Sequence, residues 1–255
     1  MRAVAENLPA AHDDRIVAVR RVAIVPALNE EETVGRVVRE IRAADPGLEI
    51  LVVDDGSTDR TQAEAERAGA MVACLPYNVG IGGAVQTGYQ YARDHGFQVA
   101  VQIDGDGQHD PGELARLLEP IAADRADMVI GSRFLGAGLY RTPFARRFGI
   151  RLLAWVVSLI VRQRMTDPTS GFRAVNRRGI VLFAADYPHD YPEAEANVLA
   201  SRHKLRIVEV PVAMRTRSAG RSSITVLRSL YYMIKVMLAL FISVFRRYPA
   251  PAEER

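Results

Sequence analysis

Val101-Gln102-Ile103-Asp104-Gly105-Asp106-Gly107-Gln108-His109-Asp110 is the stretch from which the rest of the chain can be read. Its apolar run, 99–103, has the character of a strand, and it ends in two aspartates one residue apart with glycines beside them. Two carboxylates at i and i+2 on a tight turn can both point at one hard cation. Oxygen-only ligation suits Mg²⁺ or Mn²⁺ better than zinc. Gln108 offers a third oxygen. Asp-Gly pairs are also ordinary turn chemistry, so the stretch acquires meaning only if other parts of the chain agree with it.

Working outward, short apolar runs alternate with stretches of helical periodicity. Runs at 22–27, 49–53, 71–75, 97–103 and 128–130 have the character of strands. Between them lie helical stretches at 31–44, from Thr58 or Asp59 to 68, from the glycine-rich turn at 78–83 to about 95, and at 111–123. Such alternation predicts right-handed βαβ units and a mainly parallel sheet flanked by helices. Ligands of such sheets bind at the carboxyl ends of the strands. The polar clusters Asn29-Glu30, Asp54-Asp55 and Asp104-Gly105-Asp106 each follow a strand. All three therefore open onto one sheet edge, and three weak signals become one expected pocket.

The second half is less regular. A helix is expected over 144–161, with Phe148, Leu152, Trp155 and Leu159 on one side and Arg147 and Arg151 on another, and Trp155 reads as packing. A loop at 166–173 precedes a short helix from Asn176, a helix over about 193–203, a strand over 206–214 and a basic loop at 215–223. Three parts are expected: a loose extension at 1–20, one α/β domain over 21–223, and an apolar amphipathic helix over 224–248. In that last helix, residues 229–245 carry one charge, Lys235. The run is about 25 Å long, short of a bilayer core of about 30 Å. Arg228, Tyr232, Lys235, Ala239, Ser243 and Arg246 share one stripe, leaving a wide apolar face for a core or oligomer contact or for in-plane membrane binding.

Composition sets bounds. The chain has 255 residues and a net charge of only +3, and Lys204 and Lys235 are its only lysines, so its basic side is nearly all arginine. Arginine forks suit phosphates. The single cysteine, Cys74, excludes an intramolecular disulfide framework, and its apolar surroundings read as a core thiol. Residues 1–20 lack the apolar core of a secretory signal, which points to the cytoplasm.

In order, Pro26-Ala27-Leu28-Asn29-Glu30, Val53-Asp54-Asp55-Gly56-Ser57-Thr58-Asp59, Asn78-Val79-Gly80, Asp104-Gly105-Asp106-Gly107-Gln108, Gly131-Ser132-Arg133, Ser170-Gly171-Phe172-Arg173 and Glu209-Val210-Pro211 resemble the motifs of family 2 glycosyltransferases with the GT-A fold. The similarity is greatest to dolichol-phosphate mannosyltransferase and its bacterial polyprenyl-phosphate relatives. It implies an inverting, metal-dependent transfer of a sugar from a nucleotide diphosphate to a polyprenyl phosphate, on the inner face of a bacterial plasma membrane. It implies that Pro26, Leu28 and Glu30 line the nucleoside pocket and that Asp54 and Asp55 reach the base. Asp104, Asp106 and Gln108 would hold Mg²⁺ or Mn²⁺ on the diphosphate beside Gly105, and Arg217 would bind that diphosphate. Leu28 stands where the family usually has an aromatic, and Ser223 where the mannosyltransferases carry a basic residue.

The acceptor decides the remaining chemistry. A phosphate monoester has a second pKa near ~6 and attacks as a dianion. It needs cations to position it, and Arg133, Arg146, Arg147 and Arg173 are the candidates. A sugar hydroxyl instead requires a carboxylate base, for which the resemblance offers Asp167 and Glu195, with Glu193 adjacent. Expected partners are a nucleotide-diphosphate sugar, a polyprenyl phosphate, a membrane surface and a second copy of the chain, with no nucleic acid. A saccharide hydroxyl acceptor and a non-catalytic, sugar-nucleotide-binding subunit are the alternatives.

Overall fold

The computed structural model describes residues 19–135, 144–189, 192–215, 235–238 and 240–241, with side chains from 149 onward in the second segment. Strand β1 (Arg21–Ala27) is followed by α1 (Val34–Ala44), β2 (Leu48–Asp54), α2 (Thr61–Arg67) and β3 (Met71–Cys74). Then come α3 (Gly80–Asp94), β4 (Val99–Gln102), α4 (Leu114–Ala122) and β5 (Met128–Ser132). The second half supplies α5 (Phe144–Val161), β6 (Arg173–Asn176), α6 (Arg177–Ala185), α7 (Pro192–Arg202) and β7 (Ile207–Pro211).

These strands form one sheet of seven in the order β3-β2-β1-β4-β6-β5-β7. All pairings are parallel except those of β6, which runs antiparallel to both β4 and β5. The sheet is thus mainly parallel, as expected, but β6 falls where a loop and a helix start were expected. Strand residues alternate between two cores. Val22, Ile24, Leu51, Val53 and Met128 face α3, α5, α6 and α7, while Ala23, Val25, Ile50, Val52 and Val129 face α1, α2 and α4. Burial on both faces explains why β1 and β2 read as nearly unbroken apolar runs.

Chain order creates the crevice. From β1 the chain winds outward through β2 to β3, then α3 carries it back to β4 on the other side of β1. This reversal between β1 and β4 is the switch point at which α/β sheets bind ligands. The β2–α2 turn is pressed against the loop that leads into α3. Gly56 has φ +75°, and a Cβ there would lie 2.8 Å from the Tyr77 carbonyl carbon, so glycine is required on both counts.

Two expectations differ from the structure. Cys74 is exposed, because β3 is the sheet edge. On α5, the stripe Leu152, Trp155 and Leu159 is exposed, while Leu153, Val157 and Val161 enter the core. Trp155 is therefore not packing. Of the helix expected over 224–248, residues 235–238 and 240–241 are described and helical; Val236 and Leu240 are buried. Among the described residues no helix is long and apolar enough to cross a membrane.

Candidate active site

A cavity of about 330 Å³ occupies the crevice, lined by Pro26, Leu28, Glu30, Asp55, Asp104 and Asp106 among others. The ends of β1 and β4 supply most of these groups. The Ile103 N–H reaches the Ile24 carbonyl and the Gly105 N–H reaches that of Pro26, extending the β1–β4 ladder into the acidic turn. Thr33, just before α1, has its Oγ1 at 2.8 Å from both the Gly105 carbonyl and Glu30 Oε2, so the two strand-end loops are fastened together.

Asp104 and Asp106 share that turn. Asp106 Oδ1 accepts the Gln108 N–H at 2.9 Å. The Asp104 N–H donates to His109 Nδ1 at 3.0 Å, and His109 is stacked on Phe172 with ring centroids 4.9 Å apart. Burial lowers the His109 pKa to about 4, so the ring is neutral, with its proton on Nε2 facing Asp104 Oδ2 at 3.6 Å. His109 thus supports the acidic turn from behind. Gly171 allows the next strand to lie close: a Cβ there would stand 3.3 Å from both carboxylate oxygens of Asp104.

Two carboxylates on one turn are an oxygen-only donor set suited to Mg²⁺ or Mn²⁺, which complete their shells with water and substrate phosphate. Among the described residues no group of three acidic, histidine or cysteine side chains would enclose a metal with protein alone. Gln108 is not in the cavity lining. Its backbone carbonyl accepts the Arg215 N–H at 2.8 Å. The Arg215 guanidinium bonds Asp110 at 2.9 Å and Glu40 at 2.5 Å. The root of the basic loop is thereby clasped to the acidic turn.

The two acids after β2 divide. Asp55 lines the cavity, and its oxygens accept the N–H groups of Val79 and Gly80 at 2.8 and 3.0 Å, tying down the start of α3. Asp54 is outside the cavity lining and buried, with Oδ1 accepting the Ser57 N–H at 2.9 Å. Of the two acids expected to reach a base, only Asp55 lines the cavity.

Beyond the acidic turn, Arg133 meets Asp167 through Nε at 2.6 Å and Nη2 at 2.7 Å. Asp167 has no exposed surface. Its loop is held by Glu209, whose carboxylate accepts the N–H groups of Thr166 and Asp167 at 2.8 and 2.9 Å. A lone, half-buried acid in the otherwise apolar strand β7 is visible in the sequence as an acid among apolar residues, but its partners are not. Asp167, expected as an acceptor-facing base, is the seat of Arg133.

Arg173, expected as an acceptor cation, is wholly buried in β6, with Nη2 on the carbonyls of Ser170 and Glu193 at 2.6 and 3.2 Å. Glu193 and Glu195 lie partly buried on α7. Burial raises the Glu193 pKa, and its carboxylate feels Arg173, Asp104 and Arg133. Glu193 is thereby placed in the electrostatic reach of the acidic turn. Arg146 and Arg147 fall in the first turn of α5, with side chains outside the described residues, as is all of Arg217.

This architecture, a sheet with an acid-lined cavity at its switch point, is that of the GT-A sugar transferases. The structure of glucosyl-3-phosphoglycerate synthase from Mycobacterium tuberculosis in complex with Mn²⁺, UDP and phosphoglyceric acid superposes with a TM-score of 0.68, at 22% identity, covering 92% of this chain and 81% of that one. The profile of glycosyl transferase family 2 matches residues 22–176, and the chain belongs to that family and is a glycosyltransferase. Undecaprenyl-phosphate mannosyltransferase from Micrococcus luteus is 33% identical over 220 residues, 81% of this chain and 88% of that protein. UDP-N-acetylglucosamine–dolichyl-phosphate N-acetylglucosaminyltransferase from Methanococcus voltae is 31% identical over 209 residues, 74% of this chain and 83% of that protein.

Proposed function

We propose that this glycosyltransferase moves a sugar, with inversion, from a nucleotide diphosphate to a polyprenyl phosphate at a membrane surface. The observation that carries this reading is the commitment of Asp167 to Arg133. The acceptor side presents a braced cation where a hydroxyl acceptor would call for an available carboxylate. The names of both relatives just described join a sugar to a lipid phosphate, and they differ in the sugar. The acceptor class is therefore proposed, and no donor is assigned.

In this reading the cavity between β1 and β4 takes the nucleotide, with Leu28 and Ile81 at its rim against the base. Asp104 and Asp106 would hold Mg²⁺ or Mn²⁺, and the ion would supply Lewis-acid stabilisation of the diphosphate leaving group. Arg217, by resemblance, adds a fixed positive charge on the same diphosphate. Arg133, with Arg146 and Arg147 at the start of α5, orients the acceptor phosphate. That group is largely a dianion at neutral pH, with a second pKa near ~6. Its oxygen attacks the anomeric carbon as the bond to the diphosphate breaks, and no proton has to be removed.

Purified protein incubated with radiolabelled UDP-, GDP- and dTDP-sugars and undecaprenyl or dolichyl phosphate in detergent is expected to put label into the organic phase, and EDTA is expected to abolish it. Label confined to water-soluble saccharide would reverse the acceptor assignment and return Glu193 or Glu195 as a base. Absence of turnover across the panel would favour a non-catalytic binding subunit.

A further inference from the structure

The chain carries a surface that the transfer chemistry does not use. On α5, Leu152, Trp155 and Leu159 recur at helical spacing and face outward, with Trp155 61% exposed. The opposite side of the helix, Leu153, Val157 and Val161, is fixed in the core. The described part of the last helix repeats the arrangement: Val236 and Leu240 enter the same core cluster, while Leu238 and Phe241 are exposed. Two helices thus bury one side in a common core and offer large apolar side chains on the other.

The charge around the stripe is one-sided. Between 144 and 166 there is no aspartate or glutamate, but there are five arginines: Arg146, Arg147, Arg151, Arg162 and Arg164. Arg151 is adjacent to Leu152 in sequence and one helical turn before Trp155. Arg162 and Arg164 follow the helix end, and all three are exposed. None of the three makes an ion pair among the described residues. A solvated helix of a soluble domain ordinarily balances its charges. An apolar stripe with an indole at its centre, in a segment whose charged residues are all arginine, is instead the pattern of a helix lying in the headgroup region of an anionic bilayer.

We propose that the outer face of α5, anchored by Trp155 and flanked by Arg151, Arg162 and Arg164, docks in the plane of an anionic lipid surface, together with Leu238 and Phe241 of the last helix. The first turn of the same helix carries Arg146 and Arg147. Docking would bring that first turn to the membrane surface, where a lipid phosphate lies. This deepens the lipid-acceptor reading, on which the role in acceptor delivery rests, but the docking itself is measurable without any sugar transfer.

Trp155 is the chain's only tryptophan, so its emission reports this face alone. Full-length protein is titrated with phosphatidylcholine vesicles with and without phosphatidylglycerol, following emission wavelength and co-sedimentation. Emission is expected to move to shorter wavelength with the anionic vesicles, with binding weakened by salt. Replacing two exposed apolar side chains in a W155S/L159S variant should weaken co-sedimentation by about tenfold or more, without change in melting temperature. Transfer to a polyprenyl phosphate in detergent should stay at the wild-type rate. Vesicle binding with unchanged Trp155 emission overturns the proposal, because the face then stays in water. So does emission already at short wavelength without lipid in a protein that sediments as a dimer, since the face then covers a second copy. If wild-type protein docks as expected yet transfers nothing in detergent, the docking stands and the transferase reading fails.

Discussion

Arg133 and Asp167 are joined by two parallel charge-assisted bonds, and the same guanidinium reaches Thr169 Oγ1 at 2.7 Å. The cation is thus fixed in direction, with only 11% of its side chain exposed. Asp167→Asn keeps the shape and removes the charge. The expected result is an acceptor KM raised about tenfold or more, by loss of bonds worth roughly 1.5–3 kcal/mol, with a smaller change in kcat. A base would behave oppositely: kcat would fall by about 10²–10⁴ and the acid limb of the pH–rate profile would move. Steady-state kinetics over pH decides. Asp167→Ala should also lose roughly 3–5 kcal/mol of stability, because Arg133 is left without its partner.

Asp106 lends itself to a cleaner substitution than Asp104. Its Oδ1 already accepts the Gln108 N–H, which an asparagine oxygen can also accept. Asp106→Asn should therefore fold normally and lose about 10²-fold or more of transfer, in keeping with loss of a charged group that acts where the leaving group develops charge. The thermal shift produced by UDP plus Mn²⁺ should shrink in parallel. An unchanged shift would remove Asp106 from the metal site.

Arg215 bridges Glu40 and Asp110 from the surface. Half-exposed ion pairs of this kind contribute about 0–1 kcal/mol each, so Arg215→Ala should barely alter denaturation. Because the clasp fixes the acidic turn to the root of the basic loop, the donor KM should rise by about tenfold. Arg215→Lys, which cannot span both acids with a fork, should recover only part of it. Normal donor kinetics in the alanine variant would reduce the clasp to decoration.

Acid stability should depend on Asp127. Burial opposes its ionisation, but the Arg206 side chain and backbone N–H and the Asn176 amide outweigh that and bring its pKa down to about 2. With a folded value below that of the unfolded chain, its stabilisation is complete above about pH 4. It disappears as pH falls through 2. Asp127→Asn should therefore lower stability at neutral pH by roughly 2 kcal/mol and flatten the acid limb of a urea midpoint against pH. An equal deficit at all pH values would assign Asp127 a packing role.

The strand ends that build the cavity were legible because a parallel sheet needs apolar runs and polar residues cannot continue them. Glu30, Asp55, Asp104 and Asp106 follow from that rule, and they converge. Strand β6 was not legible. Its four residues begin with Arg173 and end with Asn176, and its burial comes from neighbours remote in sequence. Cys74 shows the same blindness in reverse, since an apolar run does not say whether its strand is central or at the edge. On α5, periodicity reveals two apolar stripes, 153–157–161 and 152–155–159, without indicating which one faces inward. Asp54 and Asp55 differ for the plainest reason, that neighbours in an extended chain point opposite ways.

The edge position of β3 leaves the chain with one accessible thiol, Cys74, as well as one indole, Trp155. Partial burial and the carboxylates of Asp54 and Glu66 raise the thiol pKa, so alkylation should be slow at neutral pH and brisk in mild alkali. Without a single substitution, the native polypeptide therefore accepts a fluorophore or spin label at one defined point on the outer margin of the sheet, where β3 leads into the loop toward α3. Energy transfer between that label and Trp155 becomes a built-in molecular ruler, able to follow how the β3 edge of the sheet and the outer face of α5 move relative to one another while substrates come and go.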